Sequence, residues 1–143
     1  MQVTRILADL PDADKGCVAL HDLGYLSLHG NCPFIDIWGL GSQDAAERNI
    51  ANAGKWSFSD IADLFSAHDV RYAVLYETWY PRRSMPDGTV DVGYLTLADN
   101  YACGSDKVVF RATSPSAAEA LKRHLSRFVG KLPATRASLF VYP

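Results

Sequence analysis

The sequence predicts an α/β domain, a mixed and mostly parallel sheet of about five strands with helices packed against it. Short continuous apolar runs, bounded by turn residues, alternate with segments of helical periodicity. Helical segments separate the first three of those runs, so the strands are joined by crossovers and lie parallel. No linker, internal repeat or low-complexity tract interrupts residues 1–143, which read as one soluble domain.

Val3, Ile6, Leu7 and Leu10 recur at the spacing of an amphipathic helix that Pro11 ends. That helix begins at the first residues, as in a domain cut from something longer. Cys17-Val-Ala-Leu20 is a continuous apolar run and reads as a buried strand. Leu23 to His29 follows as a short helix or turn, and Phe34 to Trp38 as the second strand. Ser42 can cap a helix reaching about Asn52, with Gly54 beyond its end. Ser57-Phe-Ser-Asp60 has the form of a capping box, and Phe58, Ile61, Leu64 and Phe65 give the helix behind it one apolar face.

Tyr72 to Tyr76 is the clearest strand. Pro81 to Gly88, charged and bearing Pro and Gly, reads as the most mobile segment. Val90 to Leu97 is ambiguous between strand and helix, and Lys107 to Ala112 is a strand. Ser114 or Ser116 starts a helix with Leu121, Leu125, Phe128 and Val129 on one face, stopped by Gly130 and Pro133. Ala137 to Tyr142 is the last strand.

Composition excludes several functions. The net charge of −2 and a lysine–arginine set (Lys122, Arg123, Arg127, Lys131) that sits on a solvated helix face argue against nucleic acid. No apolar run is long enough to span a bilayer, and the first ten residues lack the pattern of a signal peptide. Cys17, Cys32 and Cys103 show no C-x-x-C spacing, which argues against a zinc or thioredoxin-like site; the simplest reading is three free, mostly buried thiols.

Motifs for chemistry are sparse. Asp22 follows the first strand and Asp36 lies in the second, so neighbouring strands would bring two carboxylates to one sheet edge, where open α/β folds bind ligands. The plainer alternative is that each accepts hydrogen bonds from turn amides. His21-Asp22 resembles the signature of metal-dependent HD phosphohydrolases, yet it ends a strand and His29, His68 and His124 fall at unrelated spacings, so no metal is expected. Gly39-Leu-Gly41 would begin a dinucleotide-binding turn, but Asp44 stands where the third glycine belongs, and no cofactor is expected. Trp38, Trp79, Tyr80 and Tyr25 lie near strand ends; aromatic faces beside carboxylates suit sugars, while core packing is the alternative. Asp22, Asp36, Trp79 and Tyr80 are therefore the candidate substrate-binding residues, and none is a candidate catalyst.

Four segments, read in order, carry a resemblance. They are Cys-Val-Ala-Leu-His-Asp-Leu-Gly-Tyr-Leu-Ser-Leu-His-Gly (17–30), Phe-Ile-Asp-Ile-Trp-Gly-Leu (34–40), Tyr-Ala-Val-Leu-Tyr-Glu-Thr-Trp-Tyr-Pro (72–81) and Asp-Asn-Tyr-Ala-Cys-Gly-Ser-Asp-Lys-Val-Val-Phe (99–110). The pattern resembles the soluble C-terminal domain of bacterial polytopic membrane glycosyltransferases, in the protein-mannosyltransferase and aminoarabinose-transferase superfamily. It covers roughly residues 1–112, and Asp22, Gly24, Asp36, Gly39, Leu40, Trp79 and Pro81 are the matching positions. The resemblance implies a non-catalytic, extracytoplasmic (periplasmic) accessory domain of an enzyme using polyprenyl-phosphate sugars. Its partners would be the membrane-embedded part of its own parent chain and a glycan or lipid-linked sugar. The family's catalytic acidic residues lie in the membrane part, so none is carried over to this chain. In an oxidising compartment Cys32 and Cys103, both in turns, are the pair placed to form a disulfide. Two other readings stay open: a free-standing small-molecule-binding or hydrolytic protein using Asp22 and Asp36, and a structural interaction module.

Overall fold

The computed structural model of the chain describes residues 2–9, 16–21, 32–98, 104–132 and 137–143. The expected turn or helix at 23–29, Asp22 and Cys103 lie outside the described residues. Helices α1 (Gln2–Ala8), α2 (Gln43–Ala51), α3 (Phe58–Ala67) and α4 (Pro115–Ser126) pack on a sheet of strands β1 (Cys17–Leu20), β2 (Phe34–Asp36), β3 (Val70–Tyr76), β4 (Val90–Leu97), β5 (Lys107–Ala112) and β6 (Ala137–Val141). The six strands lie in the order β2-β1-β3-β5-β4-β6.

One half of the sheet is parallel as expected: β1 pairs β2 and β3 in parallel register. The other half is antiparallel, with β5 against β3 and with β4 between β5 and β6. Among the described residues the sheet is therefore mixed, not mostly parallel, and has six strands where about five were expected. The ambiguous 90–97 segment supplies the extra one. Only residues 98–106 separate β4 from β5, too few for the crossover that parallel pairing needs, so the two strands form a hairpin.

Alternation along each strand builds two apolar layers. Tyr72 and Val74 of β3 face one side with Phe110 of β5, under Ile6 and Leu7 of α1 and Leu121 and Leu125 of α4. Ala73 and Leu75 face the other side with Ala19 and Ile35, under Ile61, Leu64 and Phe65 of α3. The capping box forms: Ser57 Oγ accepts from the Asp60 amide at 3.1 Å, and the Asp60 carboxylate accepts from the Ser57 amide at 2.9 Å. In α4, Pro115 occupies the first turn and Ser114 is the N-cap. His124, buried in α4, hydrogen-bonds the Ile6 carbonyl at 2.6 Å and ties α1 to α4. The edge strand β6 is held by Phe140 stacked on Tyr94 of β4 at 4.9 Å, with the Lys107 ammonium 4.4 Å from the Tyr94 ring centre.

Cys17 is a free thiol, in keeping with the simplest reading, while Cys103 and with it the Cys32–Cys103 pairing lie outside the described residues. Burial, then the neighbouring Cys32 and Asp69, pushes the Cys17 thiol up to about 11, which keeps it protonated and unreactive at neutral pH.

A buried charge fixes the β3–β4 connection. Arg111 of β5 is fully buried; its Nε donates to Asp91 at 2.9 Å, Nη1 to the Tyr80 carbonyl at 2.8 Å, and Nη2 to Glu77. Arg111 thus holds the chain on either side of the 81–88 segment, at Tyr80 and at Asp91. The segment folds into a 3₁₀ turn (Arg82–Ser84), buries Met85 and closes with Arg82 donating to the Thr89 carbonyl. Arg111→Met should lower the unfolding free energy by about 3 kcal/mol, because it strands three acceptors around an apolar tail. Arg82→Met, at an exposed guanidinium, should cost less than about 1 kcal/mol. Urea denaturation of both variants measures the contrast, and equal losses would contradict this role for Arg111.

Candidate functional site

The carboxyl ends of β1, β2 and β3 lie side by side, the position at which open α/β sheets bind ligands. Asp36 ends β2 and is fully buried. Its Oδ1 accepts the Trp38 amide at 2.9 Å, and its Oδ2 accepts the Leu40 and Gly41 amides at 2.6 and 2.9 Å. The Asp36 amide in turn donates to Ser42 Oγ at 2.9 Å. A β-strand that stops abruptly leaves such amides without partners, and here one side chain serves three of them. The carboxylate is thereby committed to the 37–41 turn and has no exposed lone pair for a substrate.

Gly39 makes the next link. Its φ is +91°, and a Cβ built there would stand 2.6 Å from Ala46 Cα, so only glycine lets α2 close on the turn. Asn49 of α2 donates from Nδ2 to the Trp38 carbonyl at 3.0 Å. With its main chain so occupied, the turn buries Ile37 in the core and displays two side chains: Trp38 is 40% exposed and Leu40 78%.

Trp79 arrives from the end of β3, where the Trp79 and Tyr80 amides both donate to the Tyr76 carbonyl. Its ring centre lies 5.2 Å from that of Trp38 at an interplanar angle of 37°, and it remains 45% exposed. Behind it stand Tyr76, edge-on at 5.3 Å, and the buried His21, whose ring lies 4.0 Å from Tyr76 and 5.4 Å from Trp79. A Cβ at Gly104 would fall 2.4 Å from the Trp79 ring, so the indole lies directly over the glycine backbone. The product is a continuous aromatic surface of Trp38 and Trp79 on a packed foundation.

The other candidates take different places. Tyr80 is 2% exposed, and its ring belongs to the core beside Leu75 and Met85, so it offers no face to a ligand. Burial, then the charge of Asp36, pushes its phenol well above the ordinary tyrosine range. Asp22, next in sequence to His21, lies outside the described residues. Trp38, a strand-end aromatic outside the candidate set, belongs to the site as well; its place two residues after Asp36 is the signal that the sequence offers. Asp44, in the first turn of α2, pairs with His68 at the end of α3. Slight burial raises the Asp44 carboxyl, but the His68 hydrogen bond and charge outweigh it and hold the group below the usual carboxylate range. Among the described residues, no group of His, Cys, Asp and Glu converges to hold a metal ion, and no helix is long and apolar enough to cross a membrane.

Residues 1–131 match the family described as Domain of unknown function (DUF8728). The chain belongs to that family. No curated protein and no solved structure matches this DUF8728 chain.

Asp36→Ala should destabilise this DUF8728 domain by about 3 kcal/mol, since hydrogen bonds to a charged acceptor are each worth about 1.5–3 kcal/mol and the freed amides regain water only in part. Thermal or urea unfolding checks this. A variant as stable as the parent would remove Asp36 from its structural role.

Proposed function

We propose that this domain is a non-catalytic, extracytoplasmic accessory domain of a membrane glycosyltransferase that uses polyprenyl-phosphate sugars. In this reading it binds a glycan or the sugar of a lipid-linked donor on the Trp38–Trp79 surface and so shapes the acceptor site. The membrane-embedded part of the parent chain performs the transfer. The observation that carries the binding role is the pair of half-exposed indoles in contact at the carboxyl end of the parallel strands. The C–H face of a pyranose packs on such rings, which hold a large apolar area at a fixed orientation.

Two further points support the reading. Of the positions matching the glycosyltransferase pattern, Asp36, Gly39, Leu40 and Trp79 belong to this one edge: the first builds the turn, the second lets α2 approach it, and the last two are displayed from it. Trp79 stands roughly forty positions beyond the other three, and only the sheet brings it to their edge. Asp36, moreover, is enclosed by amides, whereas a general acid or base must reach the proton it transfers. This supports the accessory reading over the hydrolytic alternative, which needs Asp36 free to act.

Titration with soluble oligosaccharides and a short-chain polyprenyl-phosphate sugar, followed by tryptophan emission and calorimetry, tests the proposal. A saturable change is expected, with Trp79→Ala weakening binding about tenfold, the loss of about 1.4 kcal/mol of ring contact. Absence of saturable binding by any of these sugars, or equal affinity in Trp79→Ala, would contradict the binding role. Sugar release above that of a boiled sample would contradict the non-catalytic one.

A further inference from the structure

Beside the aromatic surface, a groove of about 450 Å³ runs between the 37–41 turn and the last turns of α2. Trp38, Gly39 and Leu40 line it from the turn, and Ala46 and Ile50 from the helix. Its volume is in the range of small-molecule sites, which combine apolar walls with a few placed polar groups. Ile50 is 80% and Leu40 78% exposed, an unusual expense of aliphatic surface for two residues facing one hollow.

One polar group is placed here. The Asn49 amide is oriented by its Nδ2 bond to the Trp38 carbonyl, which fixes the opposite end as the acceptor. That Oδ1 is buried and receives no donor among the described residues. It lies toward Gly54, 3.8 Å from where a Cβ there would stand, and Asn49 and Gly54 both line the groove. The Ala53–Gly54 corner over it has positive φ at both residues, 49° and 77°, and is exposed on its outer side. Use of this oxygen by a ligand requires a slight outward shift of this corner, which would open it to the groove. Leaving a buried acceptor empty is unfavourable, so a ligand that brings a donor gains more here than at a wetted surface.

We infer that this groove is a binding site for an aliphatic alcohol, a ligand with an apolar body between Leu40 and Ile50 and one hydroxyl donating to Asn49 Oδ1. The inference goes beyond the glycan reading. The two sites share only the Trp38 ring, and Asn49 and Ile50 belong to the groove alone. A sugar presents many hydroxyls, whereas the groove offers one acceptor among apolar walls, so the ligand it selects is chiefly hydrocarbon.

Isotope-edited NMR with n-hexanol and with methyl pentyl ether, which has the same number of heavy atoms but no donor, tests the site. In the parent domain n-hexanol should cause saturable shifts of the Leu40 and Ile50 methyls and of the Asn49 and Gly54 amides. It should bind about fivefold more tightly than the ether, the usual scale for one hydrogen bond. Asn49→Leu should bring that ratio to about one. Ile50→Ser, a change at an exposed position that leaves folding intact, should weaken both ligands alike. No saturable shifts at these residues, no preference for the alcohol in the parent domain, or unchanged affinity in Ile50→Ser would each overturn the inference. Because none of these variants alters Trp79, failure here leaves the glycan titration to be decided separately.

Discussion

The buried carboxylate of Asp36 is the constraint on which the exposed edge of this domain depends. β2 is only three residues long, and past its end the chain must reverse direction to enter α2. Three successive needs meet there: amides must find acceptors, the turn must stay tight, and the helix must close on the sheet. Asp36 meets the first, and its amide bond to Ser42 holds the far end of the turn. Gly39 meets the other two by taking a positive φ and leaving room for Ala46. Once the main chain is satisfied internally, exposure of Trp38 and Leu40 is a consequence of the turn's geometry.

A second polar anchor complements the first. Arg111 lies on the antiparallel side of the sheet and reaches Glu77, Tyr80 and Asp91 from below, which holds the chain just after β3. Trp79 is on that stretch, between two residues that Arg111 grips. The two indoles therefore meet because two separate buried charges fix the two segments that carry them. Apolar packing of the helices on the sheet supplies most of the stability but tolerates repacking. The polar anchors contribute less in sum and specify more, since a misplaced turn would leave a charge unpaired in the core.

Much of this was legible in the sequence, for physical reasons that can be named. The Ser57–Asp60 box, Ser114 followed by Pro115, and the apolar runs of β1, β3 and β5 are local signals, and local geometry answers to them. The antiparallel half was less legible because β4 has neither clean alternation nor a clear helical stripe, and its pairing is decided by the short link to β5. Arg111 stood in plain view as a charge within an apolar strand, but its partners lie 20 to 34 positions away and only the β4–β5 register brings Asp91 opposite it. Trp79 and Tyr80 are adjacent and chemically alike, and no sequence pattern tells which is displayed and which is buried. Ile50 looks like an ordinary core position on an amphipathic helix until the turn is seen to stop short of covering it.

Asp36 makes the 37–41 turn a firm mount for its exposed side chains. Native-state hydrogen exchange of the Trp38, Leu40 and Gly41 amides tests it most directly, because each of these amides donates to the Asp36 carboxylate. A flexible surface turn opens at almost no free-energy cost, whereas a buried charge-assisted bond must be broken before exchange. All three amides are expected to exchange at least about a hundredfold more slowly than free-chain amides, as a cooperative unit with the β2 strand. Exchange at the rate of an unstructured chain, while β2 itself stays protected, would contradict the account.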